Sequence, residues 1–308
     1  MVNQETQLLL NHLRQAGGSV SGIDLARRFH VSRVALWKRV EALRAAGYAI
    51  EASRSGYRLV PGDRPLPGEF PGDEERVFFF ETLGSTMDEA FRLGTSGLAE
   101  GVVVAERQSA GRGRADRPWV SDGGDLLATL VFRPDLPLSM VGALGLEALT
   151  ALAETLRDVC GLEARLKWPN DLVVDGRKLA GVLVEAVGPA DRPRFYSVGV
   201  GLNVHGRPDL DRPTTSLDAE GHPASRQAIL SAWWTRLRRW AAEPALVPSR
   251  WESWSSPPTP WTIDTFDGTR ISGPSQGFDR AGSLLVLQAG KTIPIRYGEV
   301  RRTSGARS

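Results

Sequence analysis

Gly101-Val102-Val103-Val104-Ala105-Glu106-Arg107-Gln108-Ser109-Ala110-Gly111-Arg112-Gly113-Arg114 is an apolar strand that runs straight into a cationic loop. Three consecutive valines favour a pleated backbone, and the glycines beyond them cannot hold a helix. Glycine lets the backbone approach a ligand closely. Arginine supplies a planar fork, permanently charged, that matches phosphate or carboxylate oxygens. Taken alone, the segment through Trp119 reads either as a solvated basic turn or as an anion-binding loop.

Working outward, strands are expected at 77–80, 126–132, 164–166, 172–174, 179–186 and 195–202. Helices are expected at 85–93 and, rich in leucine and alanine, at 139–159. This is a mixed α/β domain built on one sheet. Two further clusters sit on it: Lys167-Trp168-Pro169-Asn170-Asp171 between two strands, and Arg177-Lys178-Leu179-Ala180-Gly181-Val182-Leu183-Val184-Glu185 opening a buried strand. By residue type, Trp168 reads as a packing residue or an adenine platform, and Asp171 as a turn residue or a functional carboxylate.

The chain has 308 residues, 41% apolar and 24% charged, enough for two or three domains. Its one cysteine, Cys160, excludes an intrachain disulfide framework and reads as a small buried residue. No metal-ligand cluster is visible. The N-terminus lacks a basic-then-apolar signal, and no run approaches the roughly eighteen apolar residues of a membrane span, so a cytoplasmic protein without a membrane partner is expected.

The net charge of +2 hides an asymmetry: residues 1–60 carry nine basic against four acidic residues. A basic module on a mildly acidic body points to a polyanion at one end. The module reads as helices over 5–16, 21–29 and 32–46, with Ser21 and Ser32 as N-caps. In the third helix Leu36, Val40 and Leu43 face a core, while Arg33, Trp37, Lys38, Glu41 and Arg44 lie opposite. Strands 47–51 and 56–60 close a hairpin around Arg54. The pattern is a small helical interaction domain or, better, a winged helix-turn-helix. In the latter case Arg54 and Arg58 neutralise phosphates, and Arg33, Trp37 and Lys38 reach base edges.

Residues 61–76, with four prolines and three glycines, read as a linker. Residues 226–242 form an amphipathic helix whose tryptophans belong to a core. Pro257-Pro258-Thr259-Pro260 marks a second boundary. Beyond it, short strands near 261–263, 269–273, 277–279, 284–287 and 291–295 with glycine turns read as a small β-barrel. The expected division is 1–60, linker 61–76, 77–256 and 261–303.

Together, Ser85-Thr86, Gln108 with Gly111-Arg112-Gly113-Arg114, Lys167 to Asp171, Arg177 to Glu185 and Gly199-Val200-Gly201-Leu202-Asn203 resemble the biotin protein ligase family. With the winged helix in front, the resemblance is to bifunctional members that also repress the biotin operon. It implies a multidomain α+β fold: the winged helix-turn-helix, a mixed-sheet catalytic domain of the biotin/lipoyl-ligase type (class II synthetase-like), and an SH3-like barrel. It also implies a two-step reaction. Biotin, as substrate, and MgATP give biotinoyl-adenylate; the acyl group then passes to a lysine of the biotin carboxyl carrier protein of acetyl-CoA carboxylase.

The same resemblance assigns roles. Ser85, Thr86, Met87 and Gln108 lie against biotin, with Gly181, Gly199 and Gly201 flooring the pocket. Arg112, Gly113 and Arg114 belong to a lid over both biotin and adenylate. Lys178 sits beside the reacting carboxylate and phosphate, while Lys167, Asn170 and Asn203 meet ATP. Asp171 helps to place Mg²⁺ or the incoming amine. A lid is chemically required, because a mixed anhydride exposed to water hydrolyses.

Three departures stand out. Ala115-Asp116 replaces an Arg-Gly pair, Met87 replaces an asparagine, and Arg301 and Arg302 match no family arginine one to one. Biotin-operon DNA and a homodimer on paired half-sites are the implied partners. An active ligase that no longer represses, and a biotin-sensing regulator without catalysis, are the alternatives. The intact Lys167 to Asp171 and Arg177 to Gly181 strings speak against the last.

Overall fold

The computed structural model describes residues 3–114, 117–121, 123–206, 213–255, 261–265, 268–296 and 298–301, with 299–301 described by backbone alone. The chain divides into two compact units: Met1–Phe79 with Ser225–Ala228, and Phe80–Ala224 with Ile229–Ser308.

In the first unit, helices α1 (Gln4–Ala16), α2 (Gly22–Arg28) and α3 (Arg33–Ala45) start where the sequence places caps. Ser21 Oγ accepts from the Ile23 N–H, and Ser32 Oγ from the Ala35 N–H. Each such cap contributes about 1 kcal/mol. Strands β1 (Ile50–Ser53) and β2 (Gly56–Leu59) form the hairpin, and Val20 makes a single antiparallel bridge to Tyr57. Gly56, at φ 130°, permits that approach, since a Cβ there would stand 1.9 Å from the Val20 carbonyl oxygen. Leu9, Leu10, Leu13, Leu25, Leu36, Val40 and Leu43 make the core.

The expected linker is folded onto this unit. Leu66 and Phe70 are buried, the Gly68 N–H donates to Tyr48 Oη at 2.8 Å, and Arg14 pairs with Glu69 at 3.3 Å. Asp63 accepts from the backbone N–H (2.8 Å) and Nε (2.5 Å) of Arg226. Proline and glycine content predicts irregular backbone correctly here. It does not predict detachment, because Leu66 in the segment joins the core of this unit.

The second unit holds a seven-stranded sheet in the order β3-β4-β5-β9-β8-β7-β6. Its strands are β3 (Val77–Leu83), β4 (Gly101–Gln108), β5 (Leu126–Phe132), β6 (Arg165–Lys167), β7 (Asp171–Val174), β8 (Arg177–Val187) and β9 (Phe195–Leu202). From β4 through to β6 each pairing is antiparallel. Helix α4 (Thr86–Thr95) connects β3 to β4, and α5 (Val141–Cys160) packs on β8.

Among the described residues, Leu138–Cys160 is long and apolar enough to cross a membrane, contrary to the expectation that no run approaches that length. Here it is a core helix. Its Glu147, buried, pairs with Arg250 and accepts from Trp251 Nε1 at 3.2 Å. Those partners belong to α7 (Pro248–Trp254), a helix the sequence did not announce. The tryptophans of α6 (Arg226–Ala242) serve the core as expected, with Trp233 Nε1 donating to the Ala148 carbonyl at 2.9 Å.

The C-terminal strands β10 (Trp261–Asp264), β11 (Arg270–Gly273), β12 (Ser275–Phe278), β13 (Leu284–Gln288), β14 (Lys291–Ile295) and β15 (Glu299–Arg301) form two three-stranded sheets. The small barrel is braced on the turn between β6 and β7 and on α7. Trp168 Nε1 donates to the Gly282 carbonyl at 3.3 Å, and Glu252 on α7 accepts from the Phe278 N–H at 3.2 Å. Residues 257–260, expected as a boundary, lie outside the described residues.

Candidate functional site

Ser85 caps α4, accepting from the Met87 N–H at 3.2 Å, which fixes the next residue, Thr86, over the end of β4. There a chain of hydrogen bonds forms. Thr129 Oγ1 donates to Thr86 Oγ1 (2.8 Å), and the Thr86 hydroxyl (3.1 Å) and N–H (2.7 Å) both donate to Gln108 Oε1. With its oxygen engaged, Gln108 presents its NH₂ as a donor. Met87 is buried, its sulfur 2.7 Å from where a Cβ on Gly199 would stand.

The arginine loop leaves β4 tied to β3 by the Ser109 N–H to Leu83 carbonyl bond (2.9 Å) and the Ala110 N–H to Gly84 carbonyl bond (2.8 Å). It then folds back on itself. The Gly113 N–H donates to the Arg117 carbonyl at 2.7 Å and the Trp119 N–H to the Gly111 carbonyl at 2.9 Å. Arg112 is held between Asp88 on α4 (2.5 Å) and Glu185 on β8 (3.5 Å). Ala115 and Asp116 lie outside the described residues, as do Arg302 and the side chain of Arg301.

The fold-back delivers Trp119 into the site, a role that no sequence signal assigned. Its indole lies on the glycine floor: a Cβ on Gly201 would fall 2.3 Å from the ring and one on Gly181 3.2 Å from it. These two positions are glycine because a ring occupies the space a side chain would need. Lys178 Nζ stands 5.3 Å from the same ring and pairs with Asp171 Oδ1. The Lys178 backbone is clamped too, its N–H donating to the Pro213 carbonyl and its carbonyl accepting from the Thr215 N–H, both at 2.9 Å. Arg177, its neighbour, turns away to Glu220 (3.0 Å).

These elements enclose a cavity of about 660 Å³. Ser85, Thr86, Met87, Gln108, Arg112, Gly113, Arg114, Lys167, Asn170, Asp171, Lys178, Gly181, Gly199 and Gly201 all line it. Asn203 does not. Its amide donates to the Thr215 (2.8 Å) and Lys178 (3.4 Å) carbonyls, so it holds the segment that clamps Lys178. Trp168 lines the wall, buried and bonded to Gly282, which favours the packing role. The barrel adds Asp264, Thr265, Gly268 and Gly298 to the rim, a contribution invisible in residue spacing.

In the first unit, Arg33, Trp37 and Lys38 are exposed on α3, and Arg54 and Arg58 on the hairpin. Arg58 pairs with Glu51 at 2.7 Å across the two strands. Arg44 is tied down, donating to Glu41 (2.7 Å) and to the Ile50 carbonyl (2.6 and 2.9 Å), so it braces the hairpin against α3.

The sequence profile of the biotin/lipoate A/B protein ligase family matches residues 80–203, and that of an HTH domain matches residues 5–58. The bifunctional ligase/repressor BirA of Bacillus subtilis (strain 168) is 33% identical over 306 residues, covering 90% of this chain and 92% of that protein. The protein of that name from Escherichia coli (strain K12) is 30% identical, covering 97% and 98%. The chain belongs to the biotin/lipoate A/B protein ligase family. The fold agrees: the biotin protein ligase from Aquifex aeolicus in complex with biotin and ATP superposes with a TM-score of 0.63 at 24% identity, covering 74% of this chain and 100% of that one.

Proposed function

We infer that the chain is an ATP-dependent biotin protein ligase that also represses biotin-synthesis genes. The observation that carries the ligase reading is the convergence of Lys178, Lys167, Arg112 and Arg114 on one cavity floored by Gly181, Gly199 and Gly201. The Trp119 indole and Met87 thioether that cover those glycines offer an apolar surface to a ring system, and four cations lining the same cavity suit an anionic head. In the first step a biotin carboxylate oxygen bonds to the α-phosphorus of ATP and pyrophosphate leaves. In the second, a carrier lysine amine attacks the acyl carbon, AMP leaves, and the nitrogen gives up a proton.

On this reading Lys178 stabilises charge on the transferring phosphoryl oxygens, and Asp171, its ion-pair partner, orients it and holds the incoming amine. Lys167 and Asn170 border the nucleotide side. Among the described residues no cluster of three or more metal-ligating side chains exists. The residues present fit Mg²⁺ carried in on ATP phosphates: Asp171, which lines the cavity with Asp264, would be available to hold it. Bound so, the metal would neutralise phosphate charge.

We assign DNA binding to 1–60, extended by the packed segment 61–76, catalysis to 77–256, and the rim of the site to the barrel 261–303. The exposed cations of α3 and the hairpin support duplex binding, with a homodimer spanning two half-sites in the cytoplasm. Incubation with biotin, MgATP and a carrier domain should yield pyrophosphate and a biotinylated lysine; an unlabelled carrier removes the enzyme reading. In the same assay Arg114→Gly should release adenylate and label bystander amines. Unchanged carrier selectivity would remove the lid role.

A further inference from the structure

Two side chains of α3 are exposed without a structural reason. Val34 and Trp37 are 65% and 52% exposed, on a helix whose Leu36, Val40 and Leu43 are buried. Three residues apart, they share one helix face. Arg33 and Lys38, also exposed, flank them. The other basic residues of α3 are engaged elsewhere, Arg39 with Glu5 of α1 and Arg44 with Glu41 and the hairpin. The face α3 offers is therefore an apolar pair bracketed by two cations.

That combination selects among occupants. The two cations, in a unit with nine basic and four acidic residues over 1–60, favour a polyanion. Phosphates, however, give a valine nothing to contact. In a duplex major groove the apolar feature is the C5-methyl of thymine, which side chains such as alanine, threonine and phenylalanine meet directly. We propose that Val34 and Trp37 read thymine methyl groups in the major groove, so the half-site this chain selects carries thymines beneath α3. Arg33 and Lys38 secure the helix to the neighbouring phosphates or base edges. The inference rests on the DNA reading above and adds to it the chemistry that sets sequence preference.

The test uses the full chain with biotin and MgATP at fixed salt. A duplex enriched from a random-sequence pool is resynthesised with deoxyuridine in place of thymidine, which deletes only the methyls. Wild type should lose roughly fourfold in affinity for each methyl it buries. The double variant Val34→Ser, Trp37→Ser, which carries no methyl at either position, should bind both duplexes alike. Arg54→Ala, on the hairpin, should weaken both in the same proportion. Equal wild-type affinity for the two duplexes, or an unchanged ratio in the double variant, overturns the proposal. If no duplex is enriched at all, the DNA reading itself falls and the inference with it; enrichment without methyl dependence leaves that reading standing and removes this one.

Discussion

The cations of the cavity and those of α3 are held in opposite ways. Lys178 is paired with Asp171, and Arg112 is gripped by Asp88 and Glu185, so the positions of both are set before any ligand arrives. Arg33 and Lys38 are exposed and have no carboxylate partner among the described residues. The difference follows from what each site must do. A transition state is stabilised only by charges already in place, because reorganising them at the moment of reaction costs what they would contribute. A duplex instead presents a line of phosphates with a condensed ion atmosphere, and releasing those counterions needs charge more than exact placement.

The contrast is most exposed to failure at Lys178. Lys178→Ala should lower ATP–pyrophosphate exchange by about a hundred- to a thousand-fold, while leaving DNA affinity at fixed salt unchanged. It also strands Asp171 as an uncompensated carboxylate facing phosphate. Adding Asp171→Asn to Lys178→Ala should therefore recover part of the loss. If the double variant is worse than the single, the carboxylate's own part in holding MgATP outweighs its repulsion of phosphate.

A second, smaller effect separates pinning from competition. Asp88→Asn with Glu185→Gln releases Arg112. Its partners are partly exposed, so their repulsion of an incoming phosphate is screened, and lost orientation should dominate. We expect kcat/KM for ATP to fall roughly tenfold. A rise would mean the two carboxylates compete with the ligand for Arg112 and are not preparing it. On α3 the counterpart is Arg33→Ala with Lys38→Ala. The slope of log affinity against log salt should flatten by about 2, near 0.9 for each phosphate that is no longer neutralised, with carrier biotinylation intact.

Much of this molecule was legible where local physics decides. Ser21 and Ser32 cap helices because a hydroxyl just ahead of an apolar periodicity has unpaired N–H groups within reach, and Val102 to Val104 pleat because β-branched side chains crowd a helix. The cavity residues were placed by resemblance, and the fold brought all but Asn203 to one wall or another. What stayed hidden depends on distant partners. Helix α7 is seven residues long, too short to show periodicity, and its anchor is Arg250 reaching Glu147 and Glu154 on α5. Trp119 finds its glycines on β8 and β9, strands that come much later in the chain. Asn203 carries the same amide whether it faces a ligand or two carbonyls, and only the position of Thr215 tells which.

The segment 61–76 gives the finest test, because its tie to the first unit is a titratable group. Tyr48 is buried, which pushes its phenol up from 10.0 to about 12, while the Gly68 N–H it accepts pulls the other way and loses. A phenol that holds its proton more tightly when folded stabilises the folded state fully below pH 10. That contribution fades as pH rises toward 12. By pH 11 the first unit should have lost about 1 kcal/mol from this group alone. Tyr48→Phe removes the acceptor for the Gly68 N–H, so at neutral pH it should be about 1 kcal/mol less stable than wild type. It also removes the titration. The deficit should shrink between pH 9 and pH 11 as wild type gives up its advantage, read from urea midpoints of the full chain at each pH. A deficit that stays constant would mean that Tyr48 is solvated in the folded state, and that the proline-rich segment is after all a linker.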